Sequence, residues 1–201
     1  MPVSVDYFNK DIVAHIKALK PRAVLDIGAG KGKYGDICNS LGIPVDAIEP
    51  VASYVNEFNL KSKYRNVFEM DAKTFFALDR EHKYDLIIAG DVMEHLYLYD
   101  AISVIDAMLY KARHVMIIWP TNAPQDSQFE SHFEMHLNNM KLSDLSRFNI
   151  EVYKRTYGET WCDYPVFAHY ALIAGHNTRF TESLRCIRIE NNIAYEVIND
   201  V

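Results

Sequence analysis

Short apolar runs alternate with amphipathic segments along the first 120 residues. The segment from Val5 to Leu19 has apolar residues three or four positions apart, which predicts a helix. Apolar runs that predict buried strands follow at Arg22–Ile27, Pro44–Glu49, Tyr64–Met70, Tyr84–Ala89 and His114–Trp119. Helical patterns separate these runs at Lys31–Leu41, Ala52–Leu60, the stretch ending at Leu78, and Met93–Tyr110. This alternation predicts an α/β fold, with a doubly wound, mostly parallel sheet and helices on both faces.

The pattern changes after Trp119. Pro120–Met140 is long, polar and irregular, and loops of this length within a domain are usually functional. A short helix is expected at Leu142–Phe148. Ile150–Tyr157 and Val166–Ala174 predict two strands that pair as an antiparallel edge, so the last strand of the sheet is antiparallel.

Two alternating stretches around Asn191-Asn192 predict a β-hairpin near the end of the chain. We therefore expect one domain over residues 1–175, beginning with the N-terminal helix, and a C-terminal β-hairpin extension over residues 176–201. An exposed edge strand in this extension can pair with another chain, and a homodimer is one expectation.

Composition narrows the class of protein. The chain has 201 residues, of which 49% are hydrophobic and 24% charged, as in a soluble globular domain. The net charge is −6 and there is no basic run, so nucleic acid is an unlikely partner. No apolar run reaches the roughly 18 residues of a membrane span, so no membrane association is expected. The three cysteines are widely spaced, which predicts reduced thiols and a cytoplasmic location.

A glycine-rich turn follows the first predicted strand, in the sequence V-L-D-I-G-A-G-K-G-K-Y-G from Val24 to Gly35. Gly30, Gly32 and Gly35 fit the G-x-G-x-x-G spacing of dinucleotide-binding proteins, which keeps a nicotinamide-dependent oxidoreductase open. However, the Asp26 carboxylate would compete with a phosphate for the helix N-terminus. A ligand with positive charge, such as the sulfonium and amine of S-adenosylmethionine, suits an acid at this position better.

With this glycine turn, the chain resembles the class I (Rossmann-like) S-adenosylmethionine-dependent methyltransferase family. The resemblance extends over roughly residues 20 to 175. Three further motifs are similar to that family in the same order: D-A-I-E-P, F-E-M-D-A and Y-D-L-I-I-A-G-D-V-M-E-H-L. The resemblance implies S-adenosyl-L-methionine as the cofactor. It also implies that the cofactor is bound by Asp26, Gly28, Gly30, Gly32, Glu49, Pro50, Asp71, Ala72, Asp91 and Val92.

The resemblance assigns roles to three of these acids. Glu49 corresponds to the acid that binds both ribose hydroxyls, and Asp71 to the acid that contacts the adenine amino group. Asp91 lies beside the cofactor in this scheme. Other interpretations stay open from the residues alone: Asp26 can cap a helix, and Asp71 or Asp91 can be an ordinary turn residue.

Candidate catalytic residues lie in the segments that follow the fourth and fifth strands, where ligands of open α/β sheets bind. His95, His132 and His136 are candidates for a general base, because an unperturbed imidazole pKa near 6.5 suits proton transfer at neutral pH. His132, Glu134 and His136 would share one face of an extended segment and resemble a metal site. A solvated loop is the commoner explanation, and we predict no metal.

Sequence motifs also restrict the substrate. The Asn/Asp-Pro-Pro-aromatic motif of enzymes that methylate DNA amines is absent after the fourth strand, and no Pro-Cys pair occurs. An acid and a histidine ahead of a leucine, as in Glu134, His136 and Leu137, resemble family members with small-molecule or sugar-type substrates. We predict methyl transfer to an O or N nucleophile of such a substrate. A non-catalytic, methyltransferase-like binding subunit stays a further alternative.

Overall fold

The computed structural model describes residues 6–78, 83–126, 132–161, 164–176, 185–190 and 193–198. Seven strands form one sheet: β1 Val24–Ile27, β2 Val45–Ile48, β3 Val67–Phe68, β4 Tyr84–Gly90, β5 Ala112–Thr121, β6 Ile150–Trp161 and β7 Tyr164–Ala174. Their order in the sheet is β3-β2-β1-β4-β5-β7-β6. Strands β1 to β5 are parallel, and β7 pairs antiparallel with both β5 and β6. The predicted fold class and antiparallel edge are confirmed.

The chain changes direction across the sheet between β1 and β4. Strands β2 and β3 are added on one side of β1, and β4 and β5 on the other, with Ile27 opposite both Ile48 and Ala89. The loops that leave β1 and β4 therefore diverge at the carboxyl edge of the sheet. Such a switch point opens a crevice in which α/β proteins bind ligands.

Helices cover both faces of the sheet. They are α1 Asn9–Leu19, α2 Lys33–Ser40, α3 Ala52–Glu57, α4 Ala72–Leu78 and α5 Leu98–Lys111. One core cluster contains residues of α4 and α5, and the other contains residues of α1, α2 and α3. All four residues of β1 are buried because apolar layers lie on both sides of it.

The predicted continuous helix Met93–Tyr110 is wrong. A 3-10 turn occupies Met93–His95, the chain is extended at Leu96, and α5 begins at Leu98. The side-chain amide of Asn138 donates to the backbone carbonyls of Met93 and Leu96, at 2.7 Å in each case. These carbonyls are thereby satisfied without a helical ladder.

Two further elements are shorter than predicted. The third strand is confined to Val67–Phe68, and the segment expected as a helix at Leu142–Phe148 forms a 3-10 turn at Leu142–Leu145. Neither difference changes the topology of the sheet.

The C-terminal strands β8 Arg185–Glu190 and β9 Ile193–Ile198 pair antiparallel in a separate sheet, as the hairpin pattern predicts. The Asn191-Asn192 turn lies outside the described residues. The boundary between a domain at 1–175 and an extension at 176–201 stays a prediction, as does pairing with a second copy. None of the described helices is long and apolar enough to cross a membrane.

Candidate active site

A cavity of about 340 Å³ opens at the carboxyl edge of the sheet, at the switch point between β1 and β4. Its walls come from the loops after β1, β2 and β4, from the start of α4, and from the segment after β5. The size falls in the usual range for small-molecule sites. Ten sequence-predicted residues line it: Gly28, Gly30, Glu49, Pro50, Asp71, Ala72, Asp91, Val92, His95 and His136.

The glycine turn after β1 depends on backbone conformations that other residues rarely adopt. Gly28, Gly30 and Gly32 have φ angles of 70°, 49° and 83°. At Gly28 a β-carbon would also lie 2.6 Å from Cγ2 of Val92 in the loop after β4. The first glycine is therefore needed both for the turn and for the contact between the two loops that form the cavity wall.

A matched pair of alanine variants separates these two requirements. Gly42 has nearly the same φ as Gly28, 69° against 70°, but no atom of the described residues lies within 4 Å of a β-carbon placed there. The left-handed backbone should cost both variants about 1–2 kcal/mol. We expect Gly28→Ala to lose a further 1–3 kcal/mol, roughly the cost of overpacking against Val92. Urea unfolding measures both, and adding Val92→Ala to Gly28→Ala should remove most of the difference. An equal loss in the two single variants would contradict this explanation.

Gly35, the third glycine of the dinucleotide spacing, is explained by packing. A β-carbon there would lie 2.6 Å from Cζ of Tyr64, and the Gly35 N–H donates to the Tyr64 hydroxyl at 3.1 Å. The glycine makes room for Tyr64 beside α2. The spacing that resembles a dinucleotide fingerprint therefore does not by itself indicate a pyrophosphate site.

Asp26 lies behind the turn and is fully buried. Its Oδ2 accepts a 2.5 Å hydrogen bond from the Tyr64 hydroxyl, whereas no described residue donates a hydrogen bond to its Oδ1. Burial raises the pKa of this carboxyl to about 7, despite the bond from Tyr64. The Asp26 side chain does not line the cavity, and α2 begins without a side-chain cap. Helix capping is thus not its role, and its part in cofactor binding stays a prediction.

Glu49 ties two loops of the cavity together. Its Oε2 accepts from the Gly30 N–H at 2.8 Å, and its Oε1 accepts from the Val51 N–H at 2.9 Å. Burial outweighs these bonds and raises the pKa of the carboxyl. Each carboxylate oxygen retains a second lone pair, so Glu49 can accept two further hydrogen bonds from a ligand in the cavity.

Asp71 and Asp91 also face the cavity. Asp71 immediately precedes α4, and its Oδ1 accepts from the Thr74 N–H at 2.9 Å while its Oδ2 accepts from the Thr74 hydroxyl at 2.7 Å. This geometry is that of a helix cap, and contact with an adenine amino group stays a prediction. Asp91 has a φ of 53°, which is uncommon for a residue other than glycine. Its strained conformation begins the turn that places Glu94 in the cavity.

The segment after β5 folds back onto the turn after β4. The Leu137 N–H donates to the Glu94 carbonyl at 2.7 Å, and the His136 N–H donates to the Gln125 carbonyl at 2.9 Å. As a result the rings of His95 and His136 meet edge to face, with centroids 4.9 Å apart. Two of the three predicted catalytic histidines are thus brought together, whereas the side chain of His132 is not described.

Both histidines are held at Nδ1 by backbone carbonyls. Nδ1 of His95 lies 3.2 Å from the Met135 carbonyl, and Nδ1 of His136 bonds to the Ala123 carbonyl. Burial lowers the pKa of both rings, more than these carbonyls and, at His95, the Asp91 backbone carbonyl raise it. Because a carbonyl only accepts, we assign the hydrogen of each neutral ring to Nδ1, which leaves Nε2 with a lone pair.

Glu134 and Tyr54 form a second contact across the cavity. The Tyr54 hydroxyl donates to Oε1 of Glu134 at 3.0 Å.

His132–Glu134 is a 3-10 turn, so alternate side chains of this segment do not share a face as they would in an extended strand. Sequence reasoning missed Tyr54, although an aromatic residue in the first turn of the helix after Glu49 is a usable signal.

The chain is similar to known proteins both in sequence and in fold. A family described as methyltransferase domain matches residues 5–185. A ubiquinone biosynthesis O-methyltransferase of Rickettsia bellii is 26% identical over 102 residues, which make up 47% of this chain and 40% of that protein. TehB from Haemophilus influenzae has a TM-score of 0.62 at 18% identity, over 85% of this chain and 66% of that one. Magnesium protoporphyrin IX methyltransferase (ChlM) from Synechocystis PCC 6803 with bound SAH (S-adenosylhomocysteine) has a TM-score of 0.60 at 18% identity. The similarity covers 83% of this chain and 80% of that one.

These comparisons carry different weight. The two solved structures share the fold of this chain, and the chain spans less than half of the curated relative's length. The family match extends over most of the chain and agrees with the motif order, the switch-point cavity and the glycine turn. The predicted family and cofactor are confirmed, and the nicotinamide alternative loses its support. The chain belongs to the methyltransferase-domain family, the Rossmann-like methyltransferases that use S-adenosylmethionine as cosubstrate.

Proposed function

We propose that the protein transfers the methyl group of S-adenosylmethionine to an oxygen or nitrogen nucleophile of a small-molecule or sugar-type substrate. The observation that carries this proposal is the His95–His136 pair, which lines the same cavity as the glycine turn and Glu49. Two neutral imidazoles with fixed Nδ1 atoms present Nε2 lone pairs to whatever is bound there. This arrangement fits activation of a nucleophile better than it fits a binding subunit without catalysis.

The chemistry of the transfer requires such groups. A bond forms between the acceptor atom and the methyl carbon while the carbon–sulfur bond breaks, and the sulfonium becomes a neutral thioether. An O–H or N–H acceptor must also lose its proton. Burial keeps His95 and His136 neutral at pH 7, so either Nε2 can accept that proton. Holding the acceptor in line with the methyl group supplies a further part of the acceleration.

Size and charge support a small acceptor. The cavity of about 340 Å³ has to hold the cofactor as well, and Glu49, Asp71, Asp91, Glu94 and Glu134 all line it. Several carboxylates suit the cationic cofactor and disfavour a polyphosphate chain, in line with the net charge of −6. The O-methyltransferase name of the Rickettsia bellii relative adds support for an oxygen acceptor.

A transfer assay with methyl-labelled S-adenosylmethionine tests the proposal. The full chain is incubated with separate pools of phenols, sugars, amino sugars, transfer RNA and protein, and the labelled product is separated by size. We expect label in a small product, and a fall of about 10²–10⁴-fold in kcat for His136→Ala. His176→Ala is the matched control, because His176 pairs with Asp106 and does not line the cavity. Label only in RNA or protein would overturn the small-molecule assignment.

A further inference from the structure

We infer that Glu94, His95 and His136 bind one divalent transition-metal ion, which activates the methyl acceptor. The binding site is argued from the structure alone, and only the role of the ion rests on the proposed function. With the ion bound, Nε2 of His95 and of His136 is a metal ligand, so the ion replaces the histidine base in removing the acceptor's proton. The site differs from the His132, Glu134 and His136 set considered from the sequence. It also revises the sequence-based prediction that the chain binds no metal.

The three side chains already converge. One carboxylate oxygen of Glu94 and one ring nitrogen of each histidine all lie within 4.8 Å of one another. Metal–ligand bonds of about 2.1 Å place such atoms some 3–4 Å apart, so the side chains need to close by on the order of 1 Å. Glu94 and His95 are adjacent in the turn after β4, and His136 comes from the returning segment after β5. The site therefore forms from elements on both sides of the cavity.

The histidines carry the outer contacts that metal-binding imidazoles usually have. A ligating ring nearly always donates its other N–H to a carboxylate or a backbone carbonyl, which fixes its tautomer and orientation. Here the Met135 and Ala123 carbonyls occupy the two Nδ1 atoms. Nε2 of each ring is then the ligand atom. A pair of solvated surface histidines would have no reason to share this arrangement.

Glu94 supplies the second, independent observation. Glu94 is 2% exposed and lines the cavity, and its Oε2 has no hydrogen-bond partner among the residues that the structure describes. A buried carboxylate oxygen without a partner costs free energy, and native structures usually satisfy such a group. Asp91 and Glu134 lie close enough to act on Glu94 electrostatically and add negative charge. A cation at this point satisfies all of these groups at once.

The donor set indicates the class of ion. Mg²⁺ and Ca²⁺ prefer oxygen ligands, whereas two imidazoles and one carboxylate suit Zn²⁺, Fe²⁺ or Co²⁺. Three protein ligands leave at least one position open, as in catalytic rather than structural zinc sites. An acceptor hydroxyl bound there would lose its proton to solvent more readily, and the oxygen would then attack the methyl carbon. The ion keeps its oxidation state throughout.

Metal binding is tested without cofactor or acceptor. The full chain is dialysed against EDTA and titrated by calorimetry with Zn²⁺, and with Co²⁺ while its visible absorption is recorded. We expect one ion per chain at micromolar affinity or tighter, and cobalt bands typical of four or five ligands. Glu94→Gln keeps the shape of the side chain but removes its charge. His136→Ala removes the ligand that comes from the segment after β5. Each variant should weaken binding at least 100-fold, with melting temperatures recorded to confirm folding.

Three outcomes separate this inference from the proposed function. His176→Ala should bind the ion like the original chain, and equal binding in Glu94→Gln and His136→Ala would identify an adventitious ion only. Methyl transfer that persists unchanged in EDTA-treated protein, with no ion bound, would overturn the inference and leave a histidine base. One tightly bound ion without transfer to any acceptor would support the site and count against the proposed function.

Discussion

Replacing Asp26 by asparagine should stabilise the protein above pH 7 and weaken its binding of S-adenosylmethionine. Asp26 is fully buried, and within the described parts of the chain its Oδ1 has no hydrogen-bond partner while its Oδ2 accepts one hydrogen bond, from Tyr64. Asparagine has the same shape and can still accept that bond, but it carries no charge. The substitution therefore removes the cost of burying a carboxylate and keeps the packing.

The pH dependence follows from the direction of the pKa shift. Burial raises the pKa of Asp26 to about 7 in the folded chain, from an ordinary value of 3.8. Between these values the folded state holds a proton that the unfolded state has lost, so stability falls as pH rises. The contribution of Asp26 to the free energy of unfolding is fully present below about pH 4 and is lost once the pH passes about 7. A shift of this size corresponds to about 4 kcal/mol.

Urea unfolding of both proteins at pH 4.5 and pH 8 measures the effect. We expect Asp26→Asn to be more stable by roughly 2–4 kcal/mol at pH 8 and close to the original chain at pH 4.5. Asp46→Asn is the matched control, since Asp46 is also buried and lies on the neighbouring strand β2. Burial raises the pKa of the Asp46 carboxyl, but Arg65 donates a hydrogen bond to each of its two oxygens. The pKa of Asp46 is therefore below its ordinary value. Its replacement should therefore destabilise at pH 8. A loss of stability in both variants would contradict the interpretation of Asp26.

The expected loss of affinity explains why a destabilising acid is present. Asp26 lies behind the wall of the cavity, so a cationic ligand bound there would act on it from a distance, favour the charged carboxylate and partly offset its burial. Binding of S-adenosylmethionine should then tighten as pH rises through about 7. Binding of S-adenosylhomocysteine, whose sulfur carries no charge, should change less with pH. Titration calorimetry at three pH values compares the two ligands. The same pH dependence in Asp26→Asn would show that another group is responsible.

Local sequence patterns were sufficient to predict the sheet. Consecutive apolar positions in V-L-D-I, V-D-A-I and Y-D-L-I-I-A predict β1, β2 and β4, because strands covered on both faces need no alternation. The glycine turn was equally visible, since positive φ at Gly28, Gly30 and Gly32 is a local requirement. Features that depend on one segment of chain can be predicted in this way.

Contacts between distant segments could not be predicted. The break before α5 depends on Asn138, which lies 42 and 45 residues from the carbonyls it binds. The meeting of His95 with His136 depends on the return of the chain after β5, which no local pattern encodes. For the same reason, alternation grouped His132 with Glu134 and His136, a set already set aside for a solvated loop, whereas the turn at His132–Glu134 breaks that alternation.

Glu49→Ala should weaken binding of S-adenosylhomocysteine by roughly 100-fold or more. If Glu49 holds both ribose hydroxyls, as the family resemblance implies, two hydrogen bonds to a charged group are lost at about 1.5–3 kcal/mol each. The bonds to the Gly30 and Val51 N–H groups are lost as well, which loosens the glycine turn. Glu57→Ala is the matched control, because Glu57 is exposed at the end of α3.

A ligand without the ribose 2′-hydroxyl separates the two effects of Glu49. The original chain should bind 2′-deoxy-S-adenosylhomocysteine about 10- to 100-fold more weakly than the parent ligand. This is the affinity expected to be lost with one hydrogen bond to a charged group. Glu49→Ala should bind the two ligands almost equally, because the group that distinguishes them is gone. If the deoxy ligand loses the same factor in both proteins, Glu49 does not contact that hydroxyl. Its carboxylate then acts only by holding Gly30 and Val51, and the loss of affinity in Glu49→Ala measures the rigidity of the turn.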